Sequence, residues 1–174
     1  MSKAPPEALT LDRMATPLGD VLLVTDEQGA VRALDFADHE PRMRRLLARH
    51  APGSGLMEGR APERVRSAVT AWFGGDLRAL DGLSVKTAGT PFQREVWAAL
   101  RAIPAGETRS YGQLAAAVGR PAAVRAVGLA NGANPVGVIV PCHRVIGANG
   151  TLTGYAGGLE RKRWLLNHEG VIVA

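Results

Sequence analysis

The sequence predicts an α+β protein in two parts: a small N-terminal antiparallel sheet with helices over residues 1–85, and a mainly helical, winged helix-turn-helix-like domain over residues 86–174. Three observations predict it. Short Leu- and Val-rich runs punctuated by turn residues fill the first part of the chain. From Thr90 onward the pattern changes to capped, amphipathic helical segments. The charge changes as well: residues 1–85 carry 11 Lys and Arg against 12 Asp and Glu, whereas residues 86–174 carry 10 against 4, a net of +6. A positive half of this kind suits a polyanion-binding face.

In the N-terminal part, the runs 8–15, 20–25 and 30–36 are separated by Pro17-Leu18-Gly19 and Glu27-Gln28-Gly29, the punctuation of an antiparallel meander. An Arg-rich helix is expected at 40–50. After the Pro- and Gly-rich break at 52–62, residues 63–73 read as a second helix stopped by Gly74-Gly75. The stretch 76–89 has no strong pattern and is expected to be a linker.

In the C-terminal part, Thr90-Pro91-Phe92-Gln93 places a Thr cap, a Pro at the first helical position and a Gln three residues after the cap. Phe92, Val96, Trp97 and Leu100 form one apolar stripe, so this helix is buried and ends before Pro104. Ser110-Tyr111-Gly112-Gln113 repeats the capping pattern and opens a second helix, with Leu114, Ala115 and Val118 on one face and a stop at Gly119. Pro121 then reads as the first residue of a third helix, and the short turn between the two gives a helix-turn-helix. On the third helix Val124 and Val127 are expected to face the core, leaving Ala122, Arg125, Ala126 and Leu129 outward. A helix that reads bases in the major groove carries several polar side chains. A smooth Ala-lined surface with one Arg is better suited to close approach in a narrow groove.

Composition narrows the function classes. With 46% hydrophobic residues the chain can bury a core, and no run approaches the roughly 20 apolar residues of a membrane helix. The opening residues lack the apolar stretch of a secretory signal, so a cytoplasmic protein with no membrane association is expected. One cysteine excludes an internal disulfide and a multi-cysteine zinc site. No metal and no cofactor are expected.

That cysteine carries the chemistry. The apolar run Pro135–Pro141 reads as a buried strand delivering Cys142-His143-Arg144 at its end. A thiol attacks only as thiolate and needs a nearby base, cation or dipole. Neighbours on a strand point to opposite faces, so contact of Cys142 with His143 requires a water or an irregular backbone. The acid best placed to orient His143 is Glu169. A buried, inert Cys142 and a satisfied His143 is the reading that the residues alone leave open.

The run Ile139-Val140-Pro141-Cys142-His143-Arg144-Val145-Ile146 resembles the active-site motif of the O-6-alkylguanine-DNA alkyltransferases, or methylated-DNA-protein-cysteine methyltransferases. Ser110-Tyr111, Arg125-Ala126-Val127-Gly128, Asn134-Pro135, Gly154-Tyr155-Ala156-Gly157-Gly158 and His168-Glu169-Gly170 recur in the family's order, so the resemblance covers roughly residues 90–170. It implies a single-use repair protein that flips an alkylated guanine, or alkylated thymine, out of double-stranded DNA and takes the alkyl group onto Cys142. It implies that His143 receives the thiol proton through a water and that Glu169 holds the histidine, with the logic of a hydrolase triad. Tyr111 would protonate or hydrogen-bond the leaving guanine and crowd the target phosphate. Arg125 would enter the duplex in place of the extruded nucleotide, beside Ala122 and Ala126, and Asn134 would tie the helix-turn-helix to the active-site strand. Val145, Tyr155, Ala156 and Gly157 would line the guanine pocket, and the Asn149-Gly150 turn would close a wing-like hairpin.

Two features depart from many members. Ala156 stands where they have a serine, so only backbone can reach the guanine oxygen there. The N-terminal part has none of the cysteines through which some members hold structural zinc. A monomer is expected. Two other classes share parts of the pattern: a non-catalytic sensor of alkylated bases would keep Arg125 without the acceptor cysteine, and a cysteine hydrolase would turn over and need no basic half.

Overall fold

The computed structural model describes residues 6–173, so the first five residues, read above only for the lack of a secretory pattern, lie outside it. The chain divides into two compact units, Met1–Ala88 and Gly89–Ala174.

In the N-terminal unit β1 (Ala8–Met14), β2 (Val21–Thr25) and β3 (Val31–Phe36) pair antiparallel, as the meander reading expects. A fourth strand, β4 (Gly55–Glu58), adds to β1 in parallel and gives the order β3-β2-β1-β4. It falls inside the predicted break at 52–62, because its largely exposed side chains leave no apolar alternation to read. Helix α1 (Glu40–His50) sets Met43 and Leu47 against Leu9, Leu11, Leu22, Val24 and Ala33 on one face of the sheet. Asp12 alternates to the opposite face from Leu11. There it pairs with Arg66 of α2 (Glu63–Phe73), which buries Val65, Val69 and Trp72. The sheet therefore lies between two helices.

The predicted linker 76–89 is not a free tether. Leu80 and Leu83 are buried, and Val31 donates its N–H to Ser84 O at 2.8 Å while Lys86 donates to Val31 O at 3.0 Å. Backbone pairing along the edge of β3, which leaves no side-chain periodicity, holds this segment to its own unit.

In the C-terminal unit α3 (Pro91–Arg101) starts with the complete Thr90–Gln93 capping box and buries Val96, Trp97 and Leu100. The Trp97 indole donates to Ala130 O at 2.9 Å, fixing α3 to α5 (Val124–Gly132). Between them lie β5 (Arg109–Ser110) and α4 (Tyr111–Ala117), opened by the Ser110–Gln113 box and stopped before Gly119 at φ 74°. Helix α5 begins at Val124, not at Pro121: Ala123 donates to Arg120 O at 2.9 Å, closing a turn that takes up Pro121 and Ala122. Val127 is fully buried as expected, but Val124 at this first turn is 40% exposed, not a core residue.

The expected strand over 135–141 is absent. Val136, Val138, Ile139 and Val140 are buried, yet the chain is coiled: Ile139 donates to Gly137 O at 2.7 Å around Val138 at φ 67°, and Cys142 donates to Val140 O at 2.8 Å around Pro141 at φ −83°, ψ 65°. These are two γ-turns, the first in the strained positive-φ form. Asn134 makes them tenable, accepting from Val136 N–H at 3.0 Å and donating to Val140 O at 2.8 Å in place of a neighbouring strand. After a 3₁₀ turn, Cys142–Arg144, the short β6 (Val145–Ile146) pairs in parallel with β5. The Asn149-Gly150 turn forms, with Asn149 Oδ1 accepting from Thr151 hydroxyl at 2.7 Å and Gly150 at φ 81°. Instead of returning as the second strand of a hairpin, the chain runs on irregularly to α6 (Leu159–His168). No helix among the described residues is long and apolar enough to cross a membrane.

Candidate active site

Cys142 is the first residue of the 3₁₀ turn Cys142–Arg144, and all three side chains are buried. This irregular backbone, not a strand, removes the alternation that would send Cys142 and His143 to opposite faces. Helix α6 supplies the acid from just past its C-terminus: Glu169 Oε1 lies 2.9 Å from His143 Nε2, both side chains fully enclosed.

Glu169 has a second partner that sequence reasoning missed. The Arg144 guanidinium spans both carboxylate oxygens, with Nε 3.1 Å from each and Nη2 on Oε2, and its Nη1 donates to Ile103 O at 2.5 Å. Burial alone would raise the Glu169 pKa, but hydrogen bonds and charge from His143 and Arg144 overcome it and hold the group at about 2. Glu169 is therefore ionised and can only accept, so His143 Nε2 carries the proton of their bond. Burial pushes the His143 pKa down against the pull of Glu169, and Arg144 and Lys162 add to the depression. With Arg144 already balancing the carboxylate, the imidazole stays neutral, and Nδ1 is the nitrogen left for exchange with a thiol proton. An oriented neutral base beside a buried thiol is the arrangement a nucleophilic sulfur requires.

The other predicted residues fall in two groups. Tyr111, the first residue of α4, is half-buried with its hydroxyl 3.0 Å from Thr153 Oγ1, and its ring lies over Gly128 of α5, in reach of any side chain built there. Val145 is buried on β6, Tyr155 is half-buried, Gly157 is buried and Ala156 is exposed in the loop before α6. Ala122, Arg125, Ala126 and the 72% exposed Leu129 lie on the outer surface at and before α5. Asn134 acts inside the fold, on the two γ-turns.

Sequence reasoning also missed Lys162, fully buried on α6, whose ammonium donates to Val145 O at 2.6 Å and Thr153 O at 3.2 Å. The available signal was spacing: Lys162, Leu165, Leu166 and Glu169 stand at i, i+3, i+4 and i+7, one helical face. The flanking Arg161 and Arg163 disguised it as part of a solvated charge run.

The family described as 6-O-methylguanine DNA methyltransferase, DNA binding domain, matches residues 91–171, a span that includes every site residue named above. The methylated-DNA–protein-cysteine methyltransferase of Salmonella typhimurium is 53% identical over 164 residues, covering 93% of this chain and 96% of the relative. The chain belongs to the methylated-DNA–protein-cysteine methyltransferase family. Its similarity extends to the enzyme of Methanosarcina acetivorans, 44% identical over 89% of this chain and 94% of that relative. Among solved structures, Mycobacterium tuberculosis OGT in complex with DNA superposes with a TM-score of 0.77 at 38% identity, covering 92% of each chain.

Proposed function

We propose that the protein repairs DNA in the cytoplasm by moving an alkyl group from the O6 of guanine in duplex DNA to Cys142, one group per molecule. The observation that carries this reading is the buried set Cys142, His143 and Glu169, in which the bonds from His143 and Arg144 keep the carboxylate ionised and burial keeps the imidazole neutral. His143 takes the thiol proton through a water. The thiolate attacks the alkyl carbon in line with the bond to O6; the S–C bond forms, the C–O bond breaks, and guanine leaves with the electron pair. Tyr111 quenches the developing charge by donating to the guanine and regains its proton from the relay, so the thiol hydrogen ends on the base. The thioether has no leaving group for water to displace, so the protein is spent.

A base stacked in a duplex cannot present O6 to a buried sulfur, so the nucleotide is turned out, at a cost of a few kcal/mol that is smaller for a damaged pair. Arg125 fills the gap, with Ala122 and Ala126 allowing close approach of the backbone. Asn134 keeps α5 and the γ-turn segment in register, and Val145, Tyr155, Ala156 and Gly157 receive the base. The net +5 charge of residues 89–174, against zero for residues 1–88, supports a phosphate-contacting role for the C-terminal unit.

Incubation with a duplex carrying O6-methylguanine, followed by intact-mass and peptide analysis, tests the reading. One methyl per chain on the Cys142 peptide, with none on Cys142→Ala, is expected. Methylation of the Cys142→Ala protein, or release of more than one product per molecule, would overturn it.

A further inference from the structure

The sequence sets glycine after asparagine at two places, Asn131-Gly132 and Asn149-Gly150. Asparagine in that setting is chemically labile, because glycine has no Cβ to keep the following backbone nitrogen off the side-chain carbon. The fold treats the two pairs differently. Asn131 is 6% exposed within α5, where the helical backbone commits its N–H groups to carbonyls of the preceding turn. Asn149 and Gly150 are exposed, and a Cβ at Gly150 would meet nothing within 4 Å. The Asn149 side chain is nonetheless held: Oδ1 accepts from the Thr151 hydroxyl at 2.7 Å and from the Thr151 N–H at 3.3 Å. Donors on that oxygen polarise the amide and stabilise the negative charge it gathers when a nucleophile adds to Cγ. The Gly150 N–H donates to Gly147 O at 2.9 Å, in an exposed turn where water competes for it.

We propose that Asn149 is a site of spontaneous deamidation, activated by Thr151, and that isoaspartate formed there loosens the loop that holds Thr153 against Tyr111. The Gly150 nitrogen attacks Asn149 Cγ; the N–C bond forms, the Cγ–Nδ2 bond breaks, and ammonia leaves with the Gly150 amide proton. Water then opens the succinimide. Addition at the side-chain carbonyl gives aspartate; addition at the main-chain carbonyl gives isoaspartate, whose backbone runs through Cγ and is one methylene longer. The turn is too tight to absorb that atom unchanged. A Cβ on Gly147 would lie 3.0 Å from Asn149 Oδ1, 3.2 Å from Thr151 O and 3.2 Å from Thr153 Cγ2, so these four residues pack around one point. Gly147 donates to Thr151 O at 2.9 Å across the turn, and the Thr153 hydroxyl meets that of Tyr111 at 3.0 Å. An unspent molecule therefore loses transfer capacity with age, through a change remote in sequence from Tyr111.

The effect on transfer rests on the proposed reaction at Cys142; the modification does not, and the test keeps the two apart. The unreacted full chain is incubated at about 37 °C and about pH 8 with a thiol reductant, then peptide-mapped. The Asn149 peptide should gain about 1 Da, NH2 being exchanged for OH, and split into aspartate and isoaspartate forms, while the Asn131 peptide stays unchanged. Thr151→Val should slow the change about tenfold, the worth of one hydrogen bond to a developing charge. An unaltered Asn149 peptide, equal rates at Asn131 and Asn149, or a Thr151→Val protein that ages as fast as the wild type would overturn the proposal. Transfer from free O6-benzylguanine, per titrated Cys142 thiol, should fall several-fold in the aged wild type and hold in identically aged Asn149→Ser. An equal decline in both proteins, or none in either, would overturn the link to Thr153. Fresh wild type that takes no alkyl group onto Cys142 would instead remove the acceptor assignment and leave the mass gain standing.

Discussion

Both units bury charge, but they use it differently. In the N-terminal unit each buried acid faces a cation: Asp12 with Arg66, Asp35 with Arg42 at 2.7 Å, and Asp26 with Arg32 at 3.5 Å, an arginine that also reaches Glu7 at 2.8 Å. The first two join the sheet to the helix on each face, so charge there fixes the placement of elements. In the C-terminal unit the buried charges gather round one thiol. Glu169 is shared between Arg144 and a neutral histidine, and Lys162 has carbonyls for partners. Closed pairs stabilise an architecture, whereas an open set leaves a position for a charge that comes and goes. That difference separates scaffold from reaction centre more sharply than the count of buried polar groups does.

Paired substitutions give the largest test. Glu169→Gln should slow transfer from a methylated duplex by about a hundredfold or more, since His143 loses the carboxylate that orients it. Asp12→Asn should lower the melting temperature while leaving the rate per folded molecule within about twofold, since its partner Arg66 belongs to the scaffold. Transfer rates from single-turnover quench experiments, with melts of both variants, are the measurement. Comparable losses of rate in the two variants would erase the distinction.

A substitution on the surface of the C-terminal unit sharpens the contrast between chemistry and positioning within it. Arg125→Ala should slow repair of duplex DNA by about tenfold or more and barely change the reaction with free O6-benzylguanine, because a base already outside the helix needs no replacement in the stack. Equal slowing on both substrates would refute the role of Arg125. Binding of the wild-type protein to undamaged duplex should also weaken steeply with added salt.

The contrast bears on what the sequence disclosed. Both capping boxes, the meander and the Trp97 stripe were legible because local hydrogen bonding and periodicity dictate them. Cys142, His143 and Glu169 were legible through family resemblance, and the structure brings His143 and Glu169 into contact. Arg144 and Lys162 were not, since a cation's burial depends on acceptors well away along the chain, at Glu169 and Ile103 for one and at Val145 for the other. The γ-turns of 135–141 were hidden for a related reason. An apolar run says that a segment is buried, but only Asn134, reaching across it, decides that it coils.

The charge on Lys162 leaves a thermodynamic trace. Its folded pKa of about 8 lies below the ordinary 10.5, so between these values the unfolded chain binds more protons. Stability contributed by this group therefore rises with pH through that window, the reverse of what a lysine gaining an acidic partner would show. Urea unfolding at about pH 7.5 and pH 9.5 should show the wild type gaining about 2 kcal/mol relative to Lys162→Met. A constant difference between the two proteins would place the lysine in a solvated setting.

The smallest effect concerns the spent protein, where the open charge set predicts a cost that a closed one would not. Alkylation adds carbon to a buried sulfur, and it removes the thiolate charge that favours the buried Lys162 ammonium. Overpacking a core site costs about 1–3 kcal/mol, and for a chain of this size each kcal/mol lowers the melting temperature by roughly 2–4 °C. A methyl group brings little volume, so its effect should come mainly from the stranded ammonium and should shrink above about pH 8, where Lys162 is neutral. A benzyl group should add a steric share that does not vary with pH. Melting unreacted, methylated and benzylated protein without DNA, at about pH 7 and pH 9, separates the two contributions. If the methylated form melts with the unreacted one at both pH values, the pocket accommodates the adduct, and the thiolate contributed nothing to holding the buried lysine. If both adducts show the same pH-independent drop, packing alone accounts for the loss, and the reaction centre behaves like the closed pairs of the N-terminal unit.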